Sequence, residues 1–95
     1  MTSIKLYTSE TAGSMAVTKE TRRIESIFTG KKVEFEKIDV SLDENSDLKE
    51  MIKSKNPLPN GGIKLPQVWI NDEFKAYHDE IVDANEWGEL DKLLG

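Results

Sequence analysis

Apolar and polar positions alternate along this chain with a period that changes several times. Ile4, Leu6 and Thr8 alternate with Lys5 and Tyr7, the period-two pattern of a strand. Ser9 to Ser14 carries no period and reads as a loop. From Met15 onward Val17, Ile24, Ile27 and Phe28 fall at helical spacing. Gly30 is expected to terminate that helix, with Lys31 and Lys32 beside its negative end. Val33 and Phe35, then Ile38 and Val40, predict a second strand whose alternation slips by one residue near Lys37. A bulge or burial on both faces accounts equally well for the slip.

Ser41-Leu42-Asp43-Glu44 has the Ser-x-x-Glu form of a capping box, so a second helix is expected behind it with Leu48, Met51 and Ile52 inward. The segment 56–62 holds Pro57, Pro59, Gly61 and Gly62 and reads as a loop, because proline lacks an amide hydrogen and glycine favours turns. Leu65 to Ile70 is a dense apolar strand. Asn71-Asp72-Glu73 is a turn leading to a short antiparallel partner around Phe74 to Ala76. Tyr77 to Asn85, with Ile81 and Val82 inward, predicts a third helix. Trp87-Gly88 is expected to separate it from a last turn or two marked by Leu90, Leu93 and Leu94. A strand-helix-strand start needs a parallel pair joined by a crossover, and the later hairpin adds antiparallel strands. The expectation is therefore an α/β sandwich, a mixed sheet with helices on both faces.

Length fits one domain spanning residues 1–95, and a chain of 95 residues can bury roughly two thirds of its unfolded surface without metal or disulfide. No apolar run approaches the ~20 residues that cross a bilayer, and Met1 to Lys5 lacks the pattern of a signal peptide, so a cytoplasmic location without membrane contact is expected. The formal net charge of −5 is uneven. Residues 1–32 hold six Lys/Arg against three Asp/Glu, and residues 33–95 hold seven against fifteen. Arg22-Arg23 and Lys31-Lys32 are isolated pairs, too sparse for a phosphate backbone, so nucleic acid is not an expected partner.

Three landmarks together resemble a known family: Tyr7-Thr8-Ser9-Glu10-Thr11 behind the first strand, Leu65-Pro66-Gln67-Val68-Trp69-Ile70-Asn71 ahead of the hairpin, and the acidic C-terminal helix. The chain resembles glutaredoxins, and among them the SH3-binding glutamic-acid-rich-like proteins, over essentially its whole length. The resemblance implies a thioredoxin-like, glutaredoxin-like three-layer sandwich around a mixed four-stranded sheet. It places the glutaredoxin Cys-x-x-Cys on Ala12-Gly13-Ser14-Met15, where neither Ala nor Met can ionise. It also places the superfamily's cis-proline at Pro66, facing the start of the first helix. The former active-site cleft then comprises Thr11, Ala12, Gly13, Ser14 and Met15 on one side and Leu65, Pro66, Gln67 and Val68 on the other.

The implied function is a non-enzymatic one, a protein or peptide partner held in that cleft, with no cofactor and no catalytic residue. The alternative is a glutathione-binding protein or thiol-independent transferase. Glutaredoxins bind glutathione with a Gly-Gly turn and an acidic residue, whereas the matching stretch here reads Phe74-Lys75-Ala76-Tyr77-His78-Asp79. SH3-domain partners are implied by the family, yet Pro57, Pro59 and Pro66 form no Pro-x-x-Pro. Ser14 and Thr11 are better helix caps than nucleophiles, since a hydroxyl needs a base. The single His78 makes no metal site and reads as a partly exposed surface residue. The eight carboxylates of the last 24 residues read as a solvated face.

A chain with no cysteine has no thiolate to exchange. Purified protein is expected to reduce a mixed disulfide no faster than a heat-killed sample in a coupled glutathione assay, and reproducible turnover above that control would contradict this.

Overall fold

The computed structural model describes residues 3–9, 15–55, 59 and 63–94. The strands are β1 (Ile4–Thr8), β2 (Glu36–Asp39), β3 (Gln67–Ile70) and β4 (Glu73–Tyr77). The helices are α1 (Met15–Gly30), α2 (Ser46–Lys55), α3 (His78–Glu86) and α4 (Leu90–Leu94). The sheet order is β2-β1-β3-β4. β1 and β2 are parallel, while β3 runs antiparallel to both β1 and β4.

Successive residues of a strand point to opposite faces, and here both faces of the central pair are covered. Ile4 and Leu6 of β1 and Val68 of β3 join Ile24 and Phe28 of α1, Ile81 of α3 and the two leucines of α4 that lie deepest, Leu90 and Leu94. Tyr7 and Trp69 point the other way and pack with Val40 and with Ile52 of α2. The Tyr7 and Trp69 rings meet edge-on at 5.7 Å, the arrangement that ring quadrupoles favour. Helices thus cover both faces, and the three layers expected from the sequence are present.

The pattern slip near Lys37 is burial on two faces. The β1–β2 register runs unbroken from Lys5 opposite Glu36 to Thr8 opposite Asp39. Val33 and Phe35 pack against the α1 side before the strand begins, and Ile38 and Val40 pack on the α2 side. A bulge does occur, but in β4, where no slip was expected. Val68 pairs with Ala76 and Trp69 with Phe74, so Lys75 is the extra residue. Phe74 and Ala76 consequently reach opposite clusters although they are two positions apart.

Two expected helix ends are corrected. The Ser41-x-x-Glu44 capping box does not form. Ser41 instead donates through both its amide and its hydroxyl to the Asp39 carboxylate, and a short 3₁₀ turn over Asp43–Asn45 leads into α2. At the other correction, α1 does end at Gly30, but the left-handed residue is Lys32, with φ 58°. The Lys32 amide donates to the Thr29 carbonyl at 3.1 Å and the Val33 amide to the Phe28 carbonyl at 2.8 Å, the paired bonds of a Schellman ending. Val33 then folds back onto the cluster that contains Phe28, which holds the chain in the turn without a glycine. The β3–β4 turn follows expectation: Asn71 and Asp72 have φ of 51° and 67°, as a two-residue hairpin loop requires.

Within the α1 face one polar contact is closed off from water. The hydroxyls of Thr8 and Thr21 lie 2.7 Å apart and both residues are fully buried. Thr21 occupies the same helical stripe as Ile24 and Phe28, so the contact fixes the rotation of α1 over the end of β1. Replacing Thr8 by Val keeps the shape and removes one partner, and is expected to lower stability by about 1–2 kcal/mol. The double variant Thr8→Val/Thr21→Val should lose clearly less than the sum of the single losses in urea unfolding, and additive losses would show that the hydroxyls act independently.

Candidate functional site

The topology brings three chain segments to one end of the sheet. β3 runs antiparallel to β1 with Gln67 opposite Tyr7, and β4 runs antiparallel to β3 with Tyr77 opposite Gln67. The carboxyl end of β1, the entry to β3 and the exit from β4 therefore lie side by side. In mixed α/β sheets such a strand end is open, because the connections diverge there.

Of the nine residues expected to form the cleft, Thr11, Ala12, Gly13 and Ser14 lie outside the described residues. Met15 opens α1 and is 82% exposed, an uncovered apolar side chain at the helix entry. Leu65 is half-buried and packs on the Trp69 cluster. The Leu65–Pro66 peptide bond is cis, and Pro66 itself is buried. Gln67 and Val68 are fully buried. Val68 belongs to the α1-side core. The Gln67 amide nitrogen donates to the Lys64 carbonyl at 2.9 Å, and its oxygen accepts the Trp69 indole N–H at 2.8 Å. The Gln67 side chain thus brackets the turn into β3. The surface that Leu65 to Val68 offers a partner comes from Leu65 and the backbone before the strand.

The neighbouring strand exit adds residues that sequence reasoning did not place here. The Lys64 ammonium lies over the Tyr77 ring, 5.0 Å from its centre. The Tyr77 amide donates to the Glu80 carboxylate at 3.2 Å, which closes the first turn of α3. His78 is partly exposed, as expected, and it is packed between helices. Its side chain is only 14% exposed, with Nδ1 2.9 Å from Asp79 and 3.6 Å from Glu20 of α1, and its buried Nε2 has no hydrogen-bond partner. The ring is wedged between α1 and α3. Its position was not legible because only the packing of those two helices buries it. Among the described residues, no group of three or more His, Asp or Glu side chains is arranged to hold a metal ion. This sheet end presents a half-buried leucine and a lysine stacked on tyrosine, and the entry of α1 carries an exposed thioether.

Two groups with displaced acidity frame the sheet. Burial pushes the Tyr7 hydroxyl up, with the nearby Lys5 charge opposing and Asp72 and Glu36 adding to the rise. The Lys5 ammonium is also held up, first by its hydrogen bond to Asp72. That exposed pair, 3.2 Å apart, sits at the hairpin turn, at the far end of the sheet from the cleft.

The family model described as SH3-binding, glutamic acid-rich protein matches residues 2–95. Among solved structures, the C. albicans actin interacting protein Aip5 is 30% identical over 98% of this chain and 88% of that one, with a TM-score of 0.75. Glutaredoxin C1 from Populus tremula x tremuloides is 16% identical over 96% of this chain and 81% of that one, with a TM-score of 0.69. The buckwheat glutaredoxin in its glutathione complex is 13% identical over 98% and 76%, with a TM-score of 0.70. The last two likenesses show the fold, which is thioredoxin-like of the glutaredoxin type. No curated protein sequence matches the chain.

The buried role of Gln67 can be measured. Gln67→Leu leaves the Trp69 indole N–H in the core without its acceptor, an omission worth about 1–3 kcal/mol. Urea unfolding is expected to show a loss of that size, and a variant as stable as the parent would return Gln67 to the list of residues free to contact a partner.

Proposed function

The chain belongs to the SH3-binding, glutamic acid-rich protein family, and from that premise we propose that it is a non-enzymatic protein-binding module. In this reading residues 1–95 act as one cytoplasmic domain. The former glutaredoxin cleft, Thr11 to Met15 with Leu65 to Val68, receives a protein or peptide. The carrying observation is the 82% exposure of Met15 at the entry of α1, on the position where the family pattern puts the second redox cysteine. A thioether there has no proton to lose and no exchange chemistry to perform. Its flexible apolar side chain suits contact with a partner instead.

The choice of partner rests on the 30% identity to a protein named for interacting with actin, so actin is the first partner to test. SH3 domains are disfavoured, because the three prolines form no Pro-x-x-Pro and Pro66 is buried at the strand entry. Contact of Met15 with a partner buries a methionine side chain, which contributes about 1.5–3 kcal/mol.

Co-sedimentation with actin filaments is expected to give saturable binding that weakens about tenfold or more in Met15→Glu. Ser26→Glu, which adds the same charge at an exposed position of the same helix, should bind as the parent does. Equal binding by Met15→Glu and the parent would remove the cleft from the interface. A footprint on glutathione alone, seen by amide NMR around residues 63–68, would favour the transferase reading.

A further inference from the structure

A second surface lies near the opposite end of α1, where α3 gives way to α4. Trp87 caps α3 and is 77% exposed, although an indole of that size is ordinarily largely buried. Lys31, just past the end of α1, and Asn85, Gly88, Leu90 and Asp91 line a shallow crevice beside it. Gly88, at φ 67°, turns the chain sharply here, so that the indole stands at a corner between two helices.

Along the chain this corner is acidic, and Lys31, from beyond the end of α1, brings a cation to the crevice beside it. Between Lys75 and Lys92 there is no Lys or Arg and there are six carboxylates. Asp83 precedes Trp87 by one helical turn, Glu86 adjoins it, and Glu89 follows, all of them exposed. None of these three joins an ion pair among the described residues. Asp83 and Glu86 lie near the negative end of the α3 dipole, and Asp79 and Asp83 repel each other at i, i+4. The arrangement weakens α3 locally, and among the described residues none of the three carboxylates gains an ion pair in return. An exposed indole flanked along the chain by exposed carboxylates is complementary to a guanidinium, which stacks on the ring while its N–H groups meet the acids.

We propose that Trp87, with Asp83, Glu86 and Glu89, is a docking surface for an arginine-bearing basic segment of a partner protein. It is separate from the cleft at the entry of α1, and its occupancy does not depend on Met15. Calorimetry with a short capped arginine-rich peptide tests it, beside the citrulline analogue that keeps the shape and loses the charge. Saturable binding is expected for the arginine peptide alone. Trp87→Ala should weaken it by roughly two- to thirtyfold. Asp83→Asn/Glu86→Gln should weaken it by about fivefold or more, and the parent should lose affinity as salt is raised. The control Asp43→Asn/Glu44→Gln removes equal charge from the exposed turn before α2 and should bind within about twofold of the parent. All these side chains are exposed, and the far-ultraviolet circular dichroism of each variant confirms its fold. The proposal is overturned by absence of saturable binding, by undiminished binding in Trp87→Ala or in Asp83→Asn/Glu86→Gln, by equal binding of the citrulline peptide, or by an equal loss in the control pair.

Discussion

Leu6 and Tyr7 are neighbours in β1 and point to opposite sides of the sheet, and each anchors an apolar cluster that buries one face. This two-sided burial of the central strands is the constraint from which the rest of the molecule follows. A strand covered on both faces needs helices on both sides, and α1 and α3 supply one layer while α2 supplies the other. The parallel pairing of β1 with β2 requires α1 as its crossover. Trp69 and Val68 repeat the same division in β3, one strand over. The bulge at Lys75 lets β4 send Phe74 to one cluster and Ala76 to the other.

The open sheet end is a by-product of that order. With β1 and β3 antiparallel at the centre, the chain leaving β1 and the chain entering β3 must meet, and the exit of β4 joins them. In a glutaredoxin this meeting point holds a thiolate. This chain has no cysteine; beside this end the buried Thr8–Thr21 contact sets the rotation of α1, and Gln67 fixes the turn into β3. At the entry of α1 the thioether of Met15 stands exposed to solvent.

The two ends of α1 differ in character. At its entry the surface is apolar, with Met15 and the half-buried Leu65. Beyond its end, the corner between α3 and α4 joins an exposed indole to unpaired carboxylates. Helix dipoles and like charges make the acidic corner locally unfavourable, whereas the apolar entry leaves hydrophobic surface in water. Each is a small cost to a chain of this size.

Much of this was legible in the linear pattern. The period-two run at residues 4–8, the dense apolar run at 65–70, the helical stripe of Ile24 and Phe28, the Asn71-Asp72 turn and the Gly88 break depend on local geometry, so the sequence alone determined the main elements and their order. The absence of cysteine settled the loss of thiol chemistry in the same way. What needed the tertiary structure were the choices made between elements. The side of the sheet taken by Phe35 and Ile38, the bulge at Lys75 and the packing of His78 between α1 and α3 each depend on a neighbour distant in sequence. Asp39, only two residues away, captured Ser41 from the helix cap that its spacing predicted, a local competitor that the cap pattern alone does not reveal. The burial of Gln67 belongs to the same class: a polar side chain beside the cleft reads as a contact residue until the indole that claims its oxygen is placed. Local patterns fix what a segment is because they act within a few residues. Which partner a polar group takes is decided only when packing brings the competitors together.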